Sequence, residues 1–211
     1  MFGDPQLAPE RSVSIDAGID QELARGRAVI SAAWFHTRLT RVIAFQSLDR
    51  TIDPFGRAFG YTNAEGRTAR GVELSARVQP HPTLRASVAY TFADAPPPAG
   101  GSDGLPRAAG VAAHQFSAHA VQRAGPVQMS FEVEASGDHY VTLFDPVTFG
   151  SRAYRFDRFV KADLAASYTL SRGPARIRVF GTIGNVFGQP YFVQGFRTPR
   201  RVGRGGLAVT F

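Results

Sequence analysis

The chain has 211 residues, a formal net charge of +7, 22 glycines, 14 prolines, 17 phenylalanines and no cysteine. The absence of cysteine excludes disulfides and thiolate metal ligands. No apolar run approaches the roughly 18 residues that a membrane-spanning helix requires, so helical spanning is excluded as well. The positive charge is almost entirely arginine and is scattered along the chain, with Lys161 as the only lysine. This scatter disfavours a nucleic-acid-binding stripe.

Apolar and polar residues alternate with a period of two along most of the chain. In the segment 127–135 the odd-numbered residues are apolar, and in the segment 72–78 the even-numbered residues are apolar. Strict alternation predicts strands and not helices. The longest segments reach the roughly 9 to 11 residues that a tilted strand needs to cross a bilayer. The pattern predicts nine strands, at about 10–22, 27–45, 58–79, 84–94, 111–122, 127–138, 154–170, 175–187 and 202–211.

The predicted connections alternate in length along the chain. Short breaks fall at 24–26, 80–83, 123–126 and 171–174, and each contains the glycine or proline that a tight reversal requires. Long connections fall at about 46–57, 95–110, 139–153 and 188–201. An all-β, antiparallel meander with short periplasmic turns and long extracellular loops is typical of a transmembrane β-barrel. A lipocalin-like barrel would share the pattern, whereas a β-sandwich would not sort its connections in this way.

The direction of the last strand sets the direction of the others. If Phe211 lies at the periplasmic rim, the strand 202–211 descends and all four long connections lie outside. The first strand then also descends and has no ascending partner. Because an odd number of strands cannot close a single-chain bacterial barrel, and open edges in lipid leave backbone groups unsatisfied, we expect the nine strands to belong to a larger barrel.

Three segments carry a resemblance that extends over most of the chain. Segment 7–12 reads Leu-Ala-Pro-Glu-Arg-Ser, and segment 71–92 holds Gly-Val-Glu-Leu followed by Tyr-Thr-Phe. The C-terminal segment combines an Asn-Val-Phe break, an aromatic pair, a Pro-Arg element and a terminal Phe, at Asn185, Val186, Phe187, Tyr191, Phe192, Pro199, Arg200 and Phe211. Together these segments resemble the C-terminal β-barrel portion of a TonB-dependent outer-membrane receptor.

The resemblance implies both architecture and function. It implies that residues 1–211 supply the C-terminal nine strands of a 22-stranded barrel whose plug domain is absent from this chain. The expected location is the outer membrane of a Gram-negative bacterium. The expected function is TonB-energised uptake of a scarce nutrient, most often a ferric siderophore. The expected partners are outer-membrane lipid, lipopolysaccharide and the barrel assembly machinery, with TonB acting only through the absent plug and with no nucleic acid bound.

The residues show no catalytic pattern, and we predict that the chain is not an enzyme and holds no cofactor or metal. His114 and His119 are five residues apart in one strand, which places them on opposite faces. The segment 203–206 reads Gly-Arg-Gly-Gly but precedes a strand, whereas a phosphate loop precedes a helix. Glu132 and Glu134 share a strand face, and we interpret them as lumen-facing carboxylates beside a polar channel.

Two long connections with their flanks combine aromatic and arginine side chains. Arginine binds carboxylates bidentately and stacks on aromatic rings, so this mixture favours an anionic, partly aromatic ligand such as a ferric siderophore. In the alternative interpretation the arginines bind lipopolysaccharide phosphates and the aromatic residues form the interfacial girdle. The predicted ligand-binding residues are Tyr140, Arg152, Tyr154, Arg155, Tyr191, Arg197 and Arg200.

The apolar faces and the C-terminus lead to two further predictions. Tyr90 and Phe92 are expected in an outer aromatic belt, and Tyr168 and Phe211 in an inner belt. In the family that the chain resembles, a terminal aromatic residue on an alternating strand is read by the barrel assembly machinery. This implies an assembly signal at Leu207, Val209 and Phe211. Two other functions stay open, namely a passive porin-like channel and a soluble basic β-protein that binds nucleic acid.

Overall fold

The computed structural model describes residues 4–97, 105, 108–145, 147, 150–193 and 195–211, and its regular elements are all β-strands. No helix in these ranges is long and apolar enough to cross a membrane. The strands are β1 (Arg11–Leu23), β2 (Ala28–Ser47), β3 (Phe59–Glu65), β4 (Thr68–His81), β5 (Leu84–Asp94), β6 (His114–Ala124), β7 (Val127–Ser136), β8 (His139–Asp145), β9 (Gly150–Phe156), β10 (Phe159–Arg172), β11 (Ala175–Gly184), β12 (Phe192–Val193), β13 (Phe196–Arg197) and β14 (Val202–Thr210).

Ten of these strands form a single antiparallel sheet. Its order is β1-β2-β4-β5-β6-β7-β10-β11-β14, and β3 pairs with the outer part of β2. The pairs β8-β9 and β12-β13 form two separate ladders within the connections. Strands that follow one another in the main sheet are neighbours, which confirms the predicted all-β meander. Among the described residues the sheet is open, with β1 and β14 as its edges.

The sheet has one apolar and one polar face, because residues paired across strands lie on the same side. One apolar row runs through Ala17, Trp34, Val72 and Phe92 to His114 on β6. The neighbouring polar row holds Gly18, Ala33, Glu73, Thr91 and Gln115. Many apolar side chains are open to the surroundings. Such an exposed apolar face is unfavourable in water and suits the hydrocarbon core of a bilayer.

The short connections lie together at one end of the sheet, here called the turn end, and the long ones at the other, here called the loop end. Two turns repeat the same chemistry: Gly125 has φ 55° before Pro126, and Gly173 has φ 59° before Pro174. A positive φ at the first central residue is what a type II′ hairpin requires, and glycine adopts it without strain. The predicted alternation of short and long connections is therefore confirmed.

One predicted strand is divided into two strands, and both keep the same register with β2. The prediction was a single strand over 58–79, and the structure has β3 and β4 in its place. Both pair with β2 in the same register, since Arg41 lies opposite Glu65 and Arg38 lies opposite Thr68. The interruption at 66–67 is therefore local.

Other boundaries also differ from the prediction. The predicted strand 154–170 is confirmed over 159–170, but its start is wrong, because β10 begins only at Phe159 and residues 154–156 belong to β9. The predicted loop 139–153 is largely a hairpin of β8 and β9. Since β7 already pairs with β6 and β10, no edge of β7 is free for β9. The strands predicted at 111–122 and 175–187 run from His114 to Ala124 and from Ala175 to Gly184.

The aromatic residues predicted to form two belts lie on the apolar face. Tyr90 is paired with Phe116 and Phe92 with His114, near the loop end. Tyr168 is paired with Val179, near the turn end. Phe211 follows β14 and is 94% exposed. Tyr90 and Phe92 therefore lie towards one end of the sheet and Tyr168 towards the other, and their membership in two aromatic belts stays a prediction.

Gly71 marks a close approach between strands. It is buried in β4 opposite Phe35, and a Cβ atom there would clash with the Phe92 carbonyl oxygen and meet the Phe35 ring at 2.7 Å. A contact with backbone cannot be relieved by a rotamer change. An added methyl group therefore has to displace the β4-β5 ladder or the aromatic ring.

We expect Gly71→Ala to lower the free energy of unfolding by about 2 kcal/mol, because the new methyl group clashes with the Phe92 carbonyl and the Phe35 ring. The measurement is urea unfolding of the chain folded into detergent micelles. Gly203→Ala is the matched control, since a Cβ at Gly203 meets nothing within 4 Å. Its expected change is within about 0.5 kcal/mol. Equal losses in the two variants would contradict the interpretation.

Candidate functional site

The base of the connection 188–201 is held to the sheet by Asn185. This residue has φ 50°, a left-handed conformation that ends β11, and it is 5% exposed. Its backbone N–H donates to Asp163 Oδ1 at 2.7 Å. Its side-chain amide donates to the carbonyls of Gln189 at 2.8 Å and Pro199 at 3.3 Å. One asparagine therefore connects both ends of the loop to β10.

The β8-β9 hairpin brings together four of the predicted ligand-binding residues in two pairs. The Arg152 guanidinium lies over the Tyr154 ring, 5.8 Å from its centroid. Tyr140 is paired with Arg155, and Arg155 Nε lies 3.4 Å from the Asp138 carboxylate. The Arg155–Asp138 pair is largely exposed and contributes little to stability.

Three connections meet at the loop end. The Phe156 ring of the hairpin lies 5.4 Å from the Phe192 ring of the connection 188–201. The Gly110 N–H of the connection 95–113 donates to the Tyr140 carbonyl at 2.6 Å. Tyr191 stacks on Phe159 at the start of β10, with ring centroids 4.6 Å apart. The arginine-bearing loops therefore form one packed group.

A cavity of about 440 Å³ lies beneath this group, on the polar face of the sheet. Its sheet wall includes Thr91, Gln115 and Glu134, and its loop side includes His139 and Phe192. The volume is within the range of small-molecule sites. The Nδ1 atom of His139 is buried and has no hydrogen-bond partner among the described residues. A buried polar atom without a partner has an unfilled capacity to bind a polar group.

The seven predicted ligand-binding residues lie on the loops next to this cavity but are not in its lining. Tyr140 and Tyr191 are half-buried, and the other five are exposed. Their role in ligand binding stays a prediction. The lining residues His139, Phe159 and Phe192 are not among the predicted ligand-binding residues. Alternation alone could have identified the polar wall, because Thr91 and Gln115 share the face of Glu134.

The histidine and glutamate assignments can be checked against the register. His114 lies on the apolar face, with Nδ1 2.8 Å from the Tyr90 hydroxyl, and His119 lies on the polar face opposite Glu132. The predicted placement on opposite faces is confirmed. Glu132 and Glu134 share the polar face, as predicted, and Glu134 lies 3.0 Å from Lys161 Nζ. The described part of the chain holds no group of three or more potential metal ligands.

The connection 48–58 contains a buried ion pair. The Asp53 carboxylate lies 2.8 Å from the Arg57 guanidinium, and their side chains are 5% and 6% exposed. Asp53 also accepts hydrogen bonds from the backbone N–H groups of Phe55 and Arg57. The hydrogen bond from the Arg57 side chain, assisted by these N–H groups, lowers the pKa of Asp53 to about 2. Asp4 adds a contact to Arg57 at 3.2 Å, which attaches the N-terminal segment to this loop.

An open antiparallel meander with an exposed apolar face, aromatic residues near both ends and loops collected at one end is the wall of a transmembrane β-barrel. A family model described as TonB dependent receptor-like, beta-barrel, matches residues 1–186, and the chain belongs to this family. It is an outer-membrane protein. No curated protein matches the chain in sequence.

Solved structures of siderophore receptors share the fold. The ferripyoverdine receptor of the Pseudomonas aeruginosa outer membrane, bound to ferripyoverdine, has a TM-score of 0.72 at 15% identity over 99% of this chain and 29% of its own. A mutant of the P. aeruginosa ferric enterobactin receptor PfeA, in complex with enterobactin, has a TM-score of 0.72 at 15% identity over 99% and 32%. The siderophore receptor PirA from Acinetobacter baumannii has 0.67 at 16% over 97% and 32%. The chain thus spans less than a third of these structures.

We expect Asn185→Ala to release the connection 188–201, because it removes two side-chain hydrogen bonds and strains a left-handed backbone position. Trypsin cleavage after Arg197, Arg200 or Arg201 should become about tenfold faster. Mass spectrometry of timed digests gives the rate. Asn185→Gly is the matched control, since glycine keeps the backbone conformation but lacks the amide. If Asn185→Gly is cleaved as slowly as the original chain, the hydrogen bonds do not hold the loop.

The low pKa of Asp53 predicts an acid transition in the connection 48–58. Because the folded pKa of about 2 lies below the usual 3.8, the ion pair stabilises the loop fully above about pH 4, and the stabilisation is lost as the pH falls to about 2. Hydrogen exchange of the loop amides, corrected for intrinsic rates, should show this loss. Asp53→Asn should abolish the pH dependence, while Asp138→Asn, which changes an exposed loop carboxylate, should leave it intact.

Proposed function

We propose that residues 1–211 supply the C-terminal barrel strands of a receptor for an anionic, partly aromatic ligand of the ferric siderophore class. In this proposal the receptor imports its ligand with energy from TonB, and the plug on which TonB acts lies outside these strands. The chain is a binding and transport component and performs no catalysis.

The observation that carries the proposal is the contact between the two arginine-bearing loops above the polar-face cavity. The Phe156–Phe192 contact places the hairpin β8-β9 beside the connection 188–201. Arg152 and Arg155 from one loop and Arg197 from the other are exposed, and none is paired with a buried carboxylate in the described ranges. A ligand above the cavity would therefore meet several guanidinium groups and aromatic rings.

This chemistry fits an anionic iron chelate. Guanidinium groups form charge-assisted, bidentate hydrogen bonds with carboxylates and other oxyanions, and they stack on conjugated ring systems. Tyr191 and Phe192 add aromatic surface next to Arg197. The binding of ferripyoverdine and enterobactin by structures with the same fold supports this ligand class.

The apolar face supports the proposed lipid partners. Arg38 and Arg70 occupy its rows nearest the loop end, and Arg70 lies 3.0 Å from Asp94. In the proposal, arginines at this boundary contact phosphates of lipopolysaccharide while the apolar rows contact lipid chains. Leu207, Val209 and Phe211 lie on or beside the exposed edge strand β14, where the assembly machinery would bind.

The test is equilibrium dialysis of the micelle-folded chain against ferric enterobactin and ferripyoverdine loaded with radioactive iron. We expect binding of at least one complex. The double variant Arg152→Gln with Arg155→Gln should weaken binding at least about tenfold, because two charge-assisted contacts are removed.

Arg25→Gln is the matched control, since Arg25 lies in the β1-β2 connection at the opposite end of the sheet. It should bind as the original chain does. Binding that is insensitive to the double variant would show that the ligand does not use the β8-β9 hairpin. Constant ion conductance across a planar bilayer, without ligand, would favour the passive channel instead.

A further inference from the structure

Four arginines from adjacent positions in the sheet converge at the turn end of the polar face. They are Arg27 before β2, Arg77 on β4, Arg85 on β5 and Arg123 on β6. They are far apart in sequence, and the strand register alone brings them together. This site is separate from the loop-end cavity and does not depend on the ligand proposed for it.

The register makes each arginine a diagonal neighbour of the next. Arg77 is paired with Ser87, two residues from Arg85. Arg85 is paired with Val121, two residues from Arg123. The Gln79 N–H donates to the Arg27 carbonyl at 2.6 Å, which places Arg27 diagonal to Arg77. Diagonal Cβ atoms on a sheet face are about 7–8 Å apart, which long side chains can bridge.

All four side chains line one cavity of about 560 Å³. Neutral donors and acceptors complete its polar lining, among them Gln79, Thr83, Ser87 and His119. The volume is that of a small-molecule site. No aspartate or glutamate is among the lining residues.

No ion pair compensates the four arginines within the described part of the chain, although Glu22 on β1 is paired with the lining residue Val29 and lies beside the cavity. None of the four arginines forms an ion pair there, and Arg123 has only a neutral contact, from Nε to Gln128 Oε1 at 3.1 Å. Elsewhere on the same face Lys161 lies 3.0 Å from Glu134 and 3.6 Å from Asp163. Four like charges around one cavity repel one another, and an anion between them would remove that repulsion.

We propose that the arginine cavity binds a compact polyanion with two or more carboxylate or phosphate groups. Several guanidinium groups can each take one oxyanion group in bidentate fashion, whereas a single carboxylate would leave most of the positive charge unpaired. Two sources can supply this chemistry: a free small molecule in the lumen, or neighbouring acidic side chains of a polypeptide segment inside the barrel.

The test is isothermal titration calorimetry of the micelle-folded chain with citrate, and separately with the acetylated and amidated peptide Glu-Glu-Glu. We expect citrate or the peptide to bind, and affinity to fall as sodium chloride is raised from 50 to 300 mM. Acetate should bind at least about tenfold more weakly than citrate, since it can use only one guanidinium pair. Tighter binding of citrate points to a free anion, and tighter binding of the peptide points to a polypeptide segment.

Variants separate a defined site from general positive charge. Arg77→Gln and Arg85→Gln should each weaken binding about tenfold, and Arg77→Lys less, because lysine keeps the charge but not the bidentate fork. Arg178→Gln is the matched control: Arg178 lies on the same face near the turn end, beside Phe180, and outside the cavity. Circular dichroism confirms that each variant is folded.

Two results would overturn the proposal. The first is the absence of binding by the unaltered chain to both citrate and the peptide at 50 mM salt. The second is an equal loss of affinity in Arg178→Gln and Arg77→Gln, which would show that diffuse charge on the polar face attracts anions without a built site.

Discussion

The antiparallel register of the main sheet is the constraint on which the other features depend. It is continuous except for irregularities next to Arg11 and between Val78 and His81. A slip of one residue would move every side chain to the opposite face. Polar residues such as Arg77 would then face lipid, and an arginine there costs about 0–1 kcal/mol near the membrane interface and about 2–4 kcal/mol at the midplane. The hydrocarbon core of the bilayer thus favours the observed register energetically. The register in turn determines which side chains share the polar face.

The positions of the loops are set by the strands from which they leave the same sheet. Asn185 ends β11 with a left-handed residue and bonds to Asp163 on the neighbouring strand, so the connection 188–201 leaves the sheet at a fixed point. The hairpin β8-β9 leaves after β7, on the other side of β10, and its Phe156 meets Phe192. Because both loops start on strands that flank β10, their arginines lie near each other although about forty residues separate Arg155 from Arg197.

Sequence patterns predicted the local features of this fold and missed those that depend on distant pairing. Alternation identified the main strands and placed His114 and His119 on opposite faces, since a period of two is a property of one strand. It misassigned residues 154–156, because the choice between pairing with β7 and pairing with β8 depends on which edge is free. The convergence of Arg77 and Arg123 was not visible either, since it requires the registers of two successive strand pairs.

The charged side chains of the polar face are distributed unevenly over the sheet. Exposed arginines lie on the loops next to the loop-end cavity but do not line it, and four arginines line the turn-end cavity. Away from the turn-end cavity, Glu132, Glu134 and Asp163 lie on β7 and β10 with Lys161 as the neighbouring base, and Glu134 also belongs to the wall of the loop-end cavity. The register thus keeps the acidic side chains of β7 and β10 apart from the four arginines of the turn end, so no aspartate or glutamate is among the residues that line the arginine cavity.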